Sequence, residues 1–272
     1  LLELPKLAKG VKPGINRNDV YAINTKIPPL EEQKRIVSKL DECFEAIDKA
    51  RANVEKNLNN ARELFQSKLN EIFSQKGDGW EEKKLGEVCE IIGGGTPSKK
   101  VNEYYNGDIP WATVRDMNVD LLIETEHKIT KLGLENSASN VIKKGNVVIA
   151  TRVGLGKICF LENDTAINQD LKGIIPRNKN EIENWYLFWW FKNISKQIVK
   201  AGTGATVQGV KIPFVQSLLF PLLPINDQIK IVKQLDDLKS QTQSLESNYQ
   251  QELDALDELK KSILQKAFNG EL

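Results

Sequence analysis

Three short segments carry residue types suited to holding an anion. Gly93-Gly94-Gly95-Thr96-Pro97-Ser98-Lys99-Lys100 combines glycine backbone, hydroxyls and two ammonium groups. Thr151-Arg152-Val153-Gly154-Leu155-Gly156-Lys157 and Gly202-Thr203-Gly204-Ala205-Thr206-Val207-Gln208-Gly209-Val210-Lys211 repeat that composition. Glycine lets a backbone approach phosphate oxygens closely, while hydroxyls and cations hydrogen-bond them. Any one of the three could be only a glycine turn between strands; their recurrence favours a polyanion. Arg115, Asn118, Arg152, Gln169 and Gln208 add side chains able to read base edges. The candidate DNA contacts are therefore Thr96, Ser98, Lys99, Lys100, Arg115, Asn118, Arg152, Lys157, Gln169, Thr203, Thr206, Gln208 and Lys211.

Catalytic patterns are missing. His127 is the only histidine, so no imidazole pair exists for a metal or a triad. Gly154-Leu155-Gly156-Lys157 lacks the leading glycine and the following hydroxyl of a nucleotide-binding P-loop, and there is no Gly-x-Ser-x-Gly elbow. Asp170 and Lys172 could be assembled into a nuclease-like cluster, but such pairs arise by chance in so charged a chain. Cys43, Cys89 and Cys159 are far apart and odd in number, which gives neither a CxxC metal pair nor a disulfide framework and points to a reducing cytosol. The expectation is a chain without catalytic residues, metal or cofactor of its own.

Charge sharpens this. The 272 residues hold 38 Lys+Arg against 37 Asp+Glu, and 40% are apolar, which is globular composition and excludes a basic nucleic-acid glue. From Trp80 to Leu222 there are 18 basic and 16 acidic residues, so any grip on nucleic acid must be local and geometric. No apolar run is long enough to cross a bilayer as a helix, and the opening residues lack a secretory leader pattern, so a cytoplasmic protein is expected. A start at Leu1 rather than Met suggests a fragment or a processed piece.

The loops need strands to hold them. Leu85 to Ile92, Ile109 to Val114, Val147 to Ala150, Lys157 to Leu161 and Leu171 to Ile175 read as short strands, and Ile182 to Lys200 as a helix. Trp185, Leu187, Phe188, Trp189, Phe191, Ile194 and Ile198 on that helix read as core rather than as a base-stacking platform.

An internal repeat frames this region. At an offset of 195 residues, Pro29, Gln33, Ile36, Val37, Leu40 and Asp41 recur as Pro224, Gln228, Ile231, Val232, Leu235 and Asp236. Asn53, Leu58, Glu63, Leu64, Ser67, Leu69 and Phe73 recur as Asn248, Leu253, Glu258, Leu259, Ser262, Leu264 and Phe268. Between Glu31 and Phe73 there is no proline or glycine, and apolar residues fall three and four apart, so each copy is a long helix with a coiled-coil stripe. About 43 residues make a rod of roughly 65 Å, which cannot bury its stripe alone and takes the other copy as partner. Pro28-Pro29 and Pro224 start the two helices, and Gly77-Asp78-Gly79 and Asn269-Gly270 stop them.

These residues resemble the DNA-specificity (S) subunit of type I restriction-modification systems. The similarity lies in Trp80 to Val88 leading to Gly94-Gly95-Thr96-Pro97-Ser98, in Asp108-Ile109-Pro110-Trp111 with Asp116-Met117, and in Ala150-Thr151-Arg152 with Gly156-Lys157. It continues through Ile167-Asn168-Gln169-Asp170-Leu171, Gly202-Thr203-Gly204, Lys211-Ile212-Pro213 and Pro224 with Gln228.

The resemblance implies an α+β fold: one globular α/β target recognition domain at residues 77–222, flanked by two long α-helices at 28–76 and 223–272 that form an antiparallel coiled coil. Gly14-Ile15-Asn16 and Val20 lie 195 residues before Gly209-Val210-Lys211 and Val215, so residues 1–27 resemble the tail of a preceding recognition domain. It further implies a non-catalytic subunit that reads one half of a split double-stranded DNA target, with the helices fixing the spacing of the halves. Methyltransferase subunits would dock on it, the restriction and translocase subunit would join through them, and S-adenosylmethionine, ATP and Mg would reside on those partners. A second copy of the chain is a further candidate partner. The competing readings are a coiled-coil scaffold that binds protein without sequence-specific DNA binding, and an enzyme that acts alone on nucleic acid.

Overall fold

A computed structural model describes residues 17–21, 27–75, 79–203 and 209–272. Its elements run α1 (Arg17–Tyr21), α2 (Leu30–Ser74), β1 (Glu81–Lys84), α3 (Leu85–Val88), β2 (Cys89–Gly93), β3 (Tyr105–Ala112), β4 (Leu121–Leu122), β5 (His127–Ile129), α4 (Lys131–Glu135) and β6 (Asn140–Ile142). There follow β7 (Val147–Ala150), β8 (Ile158–Leu161), β9 (Thr165–Ile167), β10 (Leu171–Pro176), α5 (Asn184–Ala201), α6 (Ile212–Ser217), β11 (Leu219–Leu222) and α7 (Ile225–Asn269). The chain divides into two compact units, one formed by the described residues up to Asn57 with Asn248–Leu272, the other by Leu58–Ser247.

The first unit holds the early part of α2 and the late part of α7. Arg51 pairs with Asp257, Lys260 with Asp48 at 3.1 Å, and the Lys260 ammonium stands 4.9 Å from the Phe44 ring centroid. As the number on one strand of the pair rises the other falls, so the helices run antiparallel. Ile47 and Leu253 are among the residues this unit buries.

In the second unit the expected sheet is present, but it is two sheets and a ribbon. β2, β10, β7, β8 and β4 form a five-stranded sheet in that order, β5, β3, β9 and β6 a four-stranded one, and β1 pairs with β11. All pairings are antiparallel except β3 with β9 and β4 with β8. Every residue of β7 is buried because the strand is covered twice. Val147 and Ile149 face the core built around α5, and Val148 and Ala150 face the core shared with Met117, Ile142 and Ile167. A strand clad on both faces reads as an unbroken apolar run, and Val147-Val148-Ile149-Ala150 does so.

The aromatic run of α5 is core, as expected. Six consecutive residues, Tyr186 to Phe191, are buried because α5 lies between the five-stranded sheet and the adjoining stretches of α2 and α7. Trp189 meets Phe65 edge-on at 5.4 Å and donates to Asp236 at 3.2 Å, and Phe73 packs on Tyr186. Trp185 stacks on Phe160 with the ring planes 7° apart.

Some boundaries differ from expectation. Leu85 to Val88 is a single helical turn, since Leu85 and Val88, three apart, are both buried, and the strand begins at Cys89. The strand expected to reach Val114 ends at Ala112, where Thr113 caps a turn by accepting from the Arg115 N–H at 3.3 Å, while Asp116 accepts the Thr113 N–H at 2.7 Å. The helix expected from Ile182 starts at Asn184, capped by the Glu183 carboxylate on the Tyr186 N–H.

The repeated glutamine explains how each long helix starts. Gln33 donates its side-chain amide to the Pro28 carbonyl at 2.8 Å, and Gln228 donates to the Leu223 carbonyl, also five residues earlier, at 2.8 Å. Gln228 goes further. Its second hydrogen reaches the Glu181 carbonyl at 2.7 Å, and its oxygen accepts the Glu183 N–H at 2.9 Å, so this fully buried side chain ties α7 to the start of α5.

Candidate nucleic-acid interface

The loops that follow β2, β3, β7 and β9 leave the C-terminal ends of their strands. Those after β2, β3 and β9 supply most of the wall of an open cleft of about 770 Å³, whose lining includes Thr96, Lys99, Trp111, Arg115, Gln169 and Asp170. The parallel pairing of β3 with β9, with Trp111 opposite Ala166 and Ala112 opposite Ile167, brings two of these loops side by side.

Trp111 forms an aromatic wall. It is buried, donates its indole N–H to the Gly95 carbonyl at 3.2 Å, and stands between the rings of Tyr105 and His127 at 6.2 and 6.4 Å. Two glycines of the first loop are required by packing. A Cβ on Gly94 would lie 2.2 Å from the Ile167 carbonyl oxygen, and one on Gly95 would lie 2.5 Å from the Ala138 carbonyl carbon. Beyond them Ser98, Lys99 and Lys100 are exposed.

Asp170 organises the polar side of the cleft. Its carboxylate accepts from the Asn168 amide at 3.3 Å and the Gln169 amide at 3.2 Å, and lies 3.5 Å from the Arg152 guanidinium. Its carbonyl accepts the Thr151 N–H at 2.9 Å and hydroxyl at 3.2 Å, which joins the loop after β7 to the loop after β9. Lys172 donates to the Gln169 and Leu171 carbonyls at 2.8 and 2.9 Å. Burial lowers the pKa of its ammonium, a shift opposed by Asp170 and reinforced by Arg152. Asp170 and Lys172 thus hold loops rather than form a nuclease-like pair. Sequence reasoning did not place Asp170 among the site residues; the only signal was an Asn-Gln-Asp run between two strands, a composition prone to local side-chain bonding.

The remaining candidates divide into exposed and engaged groups. Arg115 is largely exposed, 3.8 Å from Glu126, and Arg152 keeps about half its surface (53%) open. Lys157 donates to the Asn118 oxygen at 2.7 Å and the Val114 carbonyl at 3.3 Å, and Asn118 donates to the Arg115 carbonyl at 3.0 Å, so both hold the turn after β3 to the loop after β7. Thr203 and Gly209 exchange backbone hydrogen bonds at 3.0 Å, and the Val210 N–H reaches the Thr151 carbonyl at 2.8 Å. The foot of the third loop therefore rests on the second. Thr206 and Gln208 lie outside the described residues. Lys211 is exposed at the start of α6.

Two of the three thiols are buried. Burial pushes the Cys89 thiol up to about 12 and the Cys159 thiol up to about 11. Among the described residues no group of three or more His, Cys, Asp and Glu side chains could hold a metal, and no helix is long and apolar enough to cross a membrane.

Residues 77–255 match the family model described as the type I restriction modification DNA specificity domain, a span that contains the whole cleft. The chain belongs to this family. It is 30% identical over 179 residues to the type I restriction enzyme MjaIX specificity subunit of Methanocaldococcus jannaschii, covering 61% of this chain and 41% of that protein. Over 229 residues it is 29% identical to the EcoR124I/EcoR124II specificity subunit of Escherichia coli, covering 82% and 55%. A solved chain from work on complex assembly and conformational transition of the type I R-M system superposes with a TM-score of 0.80 and 27% identity, over 97% of this chain and 65% of that one. The chain thus spans about half the length of the curated specificity subunits it matches, and those relatives are named for specificity rather than catalysis.

Proposed function

We propose that this chain is the DNA-reading component of a type I restriction-modification complex, without catalytic activity of its own. The observation that carries the reading is the convergence of the strand-end loops on one cleft that sets polar side chains and the cations Lys99 and Arg115 beside an aromatic wall, within the span matched by the specificity family. Near-neutral net charge suits this role, because base-edge contacts supply sequence choice while a few cations such as Lys99, Lys100, Arg152 and Lys211 supply phosphate contacts. The recognition domain reads one half of a bipartite double-stranded target and the long helices set the distance to the other half. Methyltransferase subunits dock on the helices and the recognition domain and bring S-adenosylmethionine; the restriction subunit joins through them with ATP and Mg.

The other half-site requires a second recognition domain, from a longer chain or from a second copy. Its seat is suggested by the repeat. Val232 and Phe73 pack on the recognition-domain core, whereas their repeat partners Val37 and Phe268 are 54% and 78% exposed.

Anisotropy titrations of the chain, with and without its methyltransferase partner, test the reading. Log K is expected to fall linearly with log salt, as phosphate neutralisation demands, with preference for one sequence. A flat salt response and no sequence preference in either condition would favour the protein scaffold instead.

A further inference from the structure

Gln169 is exposed on the cleft, yet both ends of its side-chain amide are engaged. The Asp170 carboxylate, which only accepts, takes a hydrogen from Gln169 Nε2 at 3.2 Å, and this fixes which end of the amide is nitrogen. The Thr96 hydroxyl donates to Gln169 Oε1 at the other end. Asp170 is itself buried and held by Asn168 and by Arg152, so the clamp does not rotate with the glutamine. An amide has two donor hydrogens and two acceptor lone pairs; one of each is used, and one of each remains.

We infer that Gln169 is a specificity-determining residue that reads an adenine in the major groove, with Asp170 and Thr96 as positioning residues that lock its amide. The inference rests on the DNA-reading function proposed above. Adenine alone presents an acceptor, N7, beside a donor, N6, which matches the free donor and acceptor of the amide. Guanine presents two acceptors, and each pyrimidine offers a single hydrogen-bonding group in that groove, so none of them satisfies both. Locking matters because a free amide turns end for end, whereas a clamped one meets the base already oriented.

The test is selection of duplexes from a randomised library by the full chain in complex with its methyltransferase partner, followed by competition with the four base pairs at each enriched position. The wild-type complex is expected to enrich a motif with an adenine that Gln169→Ala no longer prefers, a loss of roughly 5- to 150-fold at that position with the rest of the motif retained. Asp170→Asn is expected to weaken the same preference with the preferences at the other motif positions retained, a split that general loosening of the domain would not produce, while the charge it removes beside Arg152 raises affinity for every duplex alike. A motif unchanged in Gln169→Ala, or altered at a position other than adenine, overturns the inference while the DNA-reading function stands. A wild-type complex that enriches no motif overturns both.

Discussion

Replacing Gln228 by alanine removes three hydrogen bonds at one buried point. The amide now satisfies the carbonyls of Glu181 and Leu223 and the N–H of Glu183, and it has no exposed surface. Each such bond is worth about 1 kcal/mol net, and each buried group left without a partner costs about 1–3 kcal/mol, so a total loss of about 3–5 kcal/mol follows once some water enters. Its repeat partner Gln33 makes one described side-chain bond, to Pro28, in a half-buried setting, so Gln33→Ala is expected to cost at most about 1 kcal/mol. Urea unfolding reads both as midpoint shifts at unchanged slope. Equal losses in the two variants, or a Gln228→Ala loss below about 1 kcal/mol, would refute the assignment of Gln228 as the tie between α7 and α5.

Arg152→Ala and Lys211→Ala are each expected to weaken DNA binding, by about 1–3 kcal/mol where the side chain reaches a base edge, or with a salt slope lower by about one where it reaches phosphate; unchanged affinity and slope in both would remove these loops from the interface. Burial pushes the Asp120 carboxyl up, but hydrogen bonds from Lys192 and Lys239 outweigh it and hold it below its ordinary value of 3.8. Its contribution is therefore present above that value and lost as pH falls through the lowered one. Asp120→Asn should cost about 1–3 kcal/mol at neutral pH, between exposed and buried ion pairs, and the gap from wild type measured by denaturation should close in acid. Because the Cys89 and Cys159 thiols are buried and raised to about 12 and about 11, only Cys43, which is partly exposed, should react with Ellman's reagent in the native protein, and three thiols after unfolding.

The long helices and the aromatic core were legible in the sequence because their causes are local. A repeat at fixed offset, an apolar residue every three or four, and proline at each start are properties of contiguous residues, and α2 and α7 run from Leu30 to Ser74 and from Ile225 to Asn269. Trp189 could be read as core because its neighbours are nearly all apolar. The cleft was legible only as ingredients. Thr96, Trp111, Arg115 and Gln169 are distant in sequence, and the three-residue strand Thr165–Ile167 is too short to show an alternation that would reveal the β3–β9 pairing. Composition also could not separate free from engaged cations: Lys157 and Lys172 spend their ammonium groups on loop carbonyls and side chains, while Lys99 and Lys211 are exposed.

Sequence preference on DNA is the central claim, and selection from a fully randomised duplex library by the wild-type chain with its methyltransferase partner measures it most directly. Enrichment of a defined half-site is expected, bound roughly a thousandfold or more tighter than random duplex at physiological salt. Recovery of an unenriched pool, with equal affinity for every duplex, would contradict it.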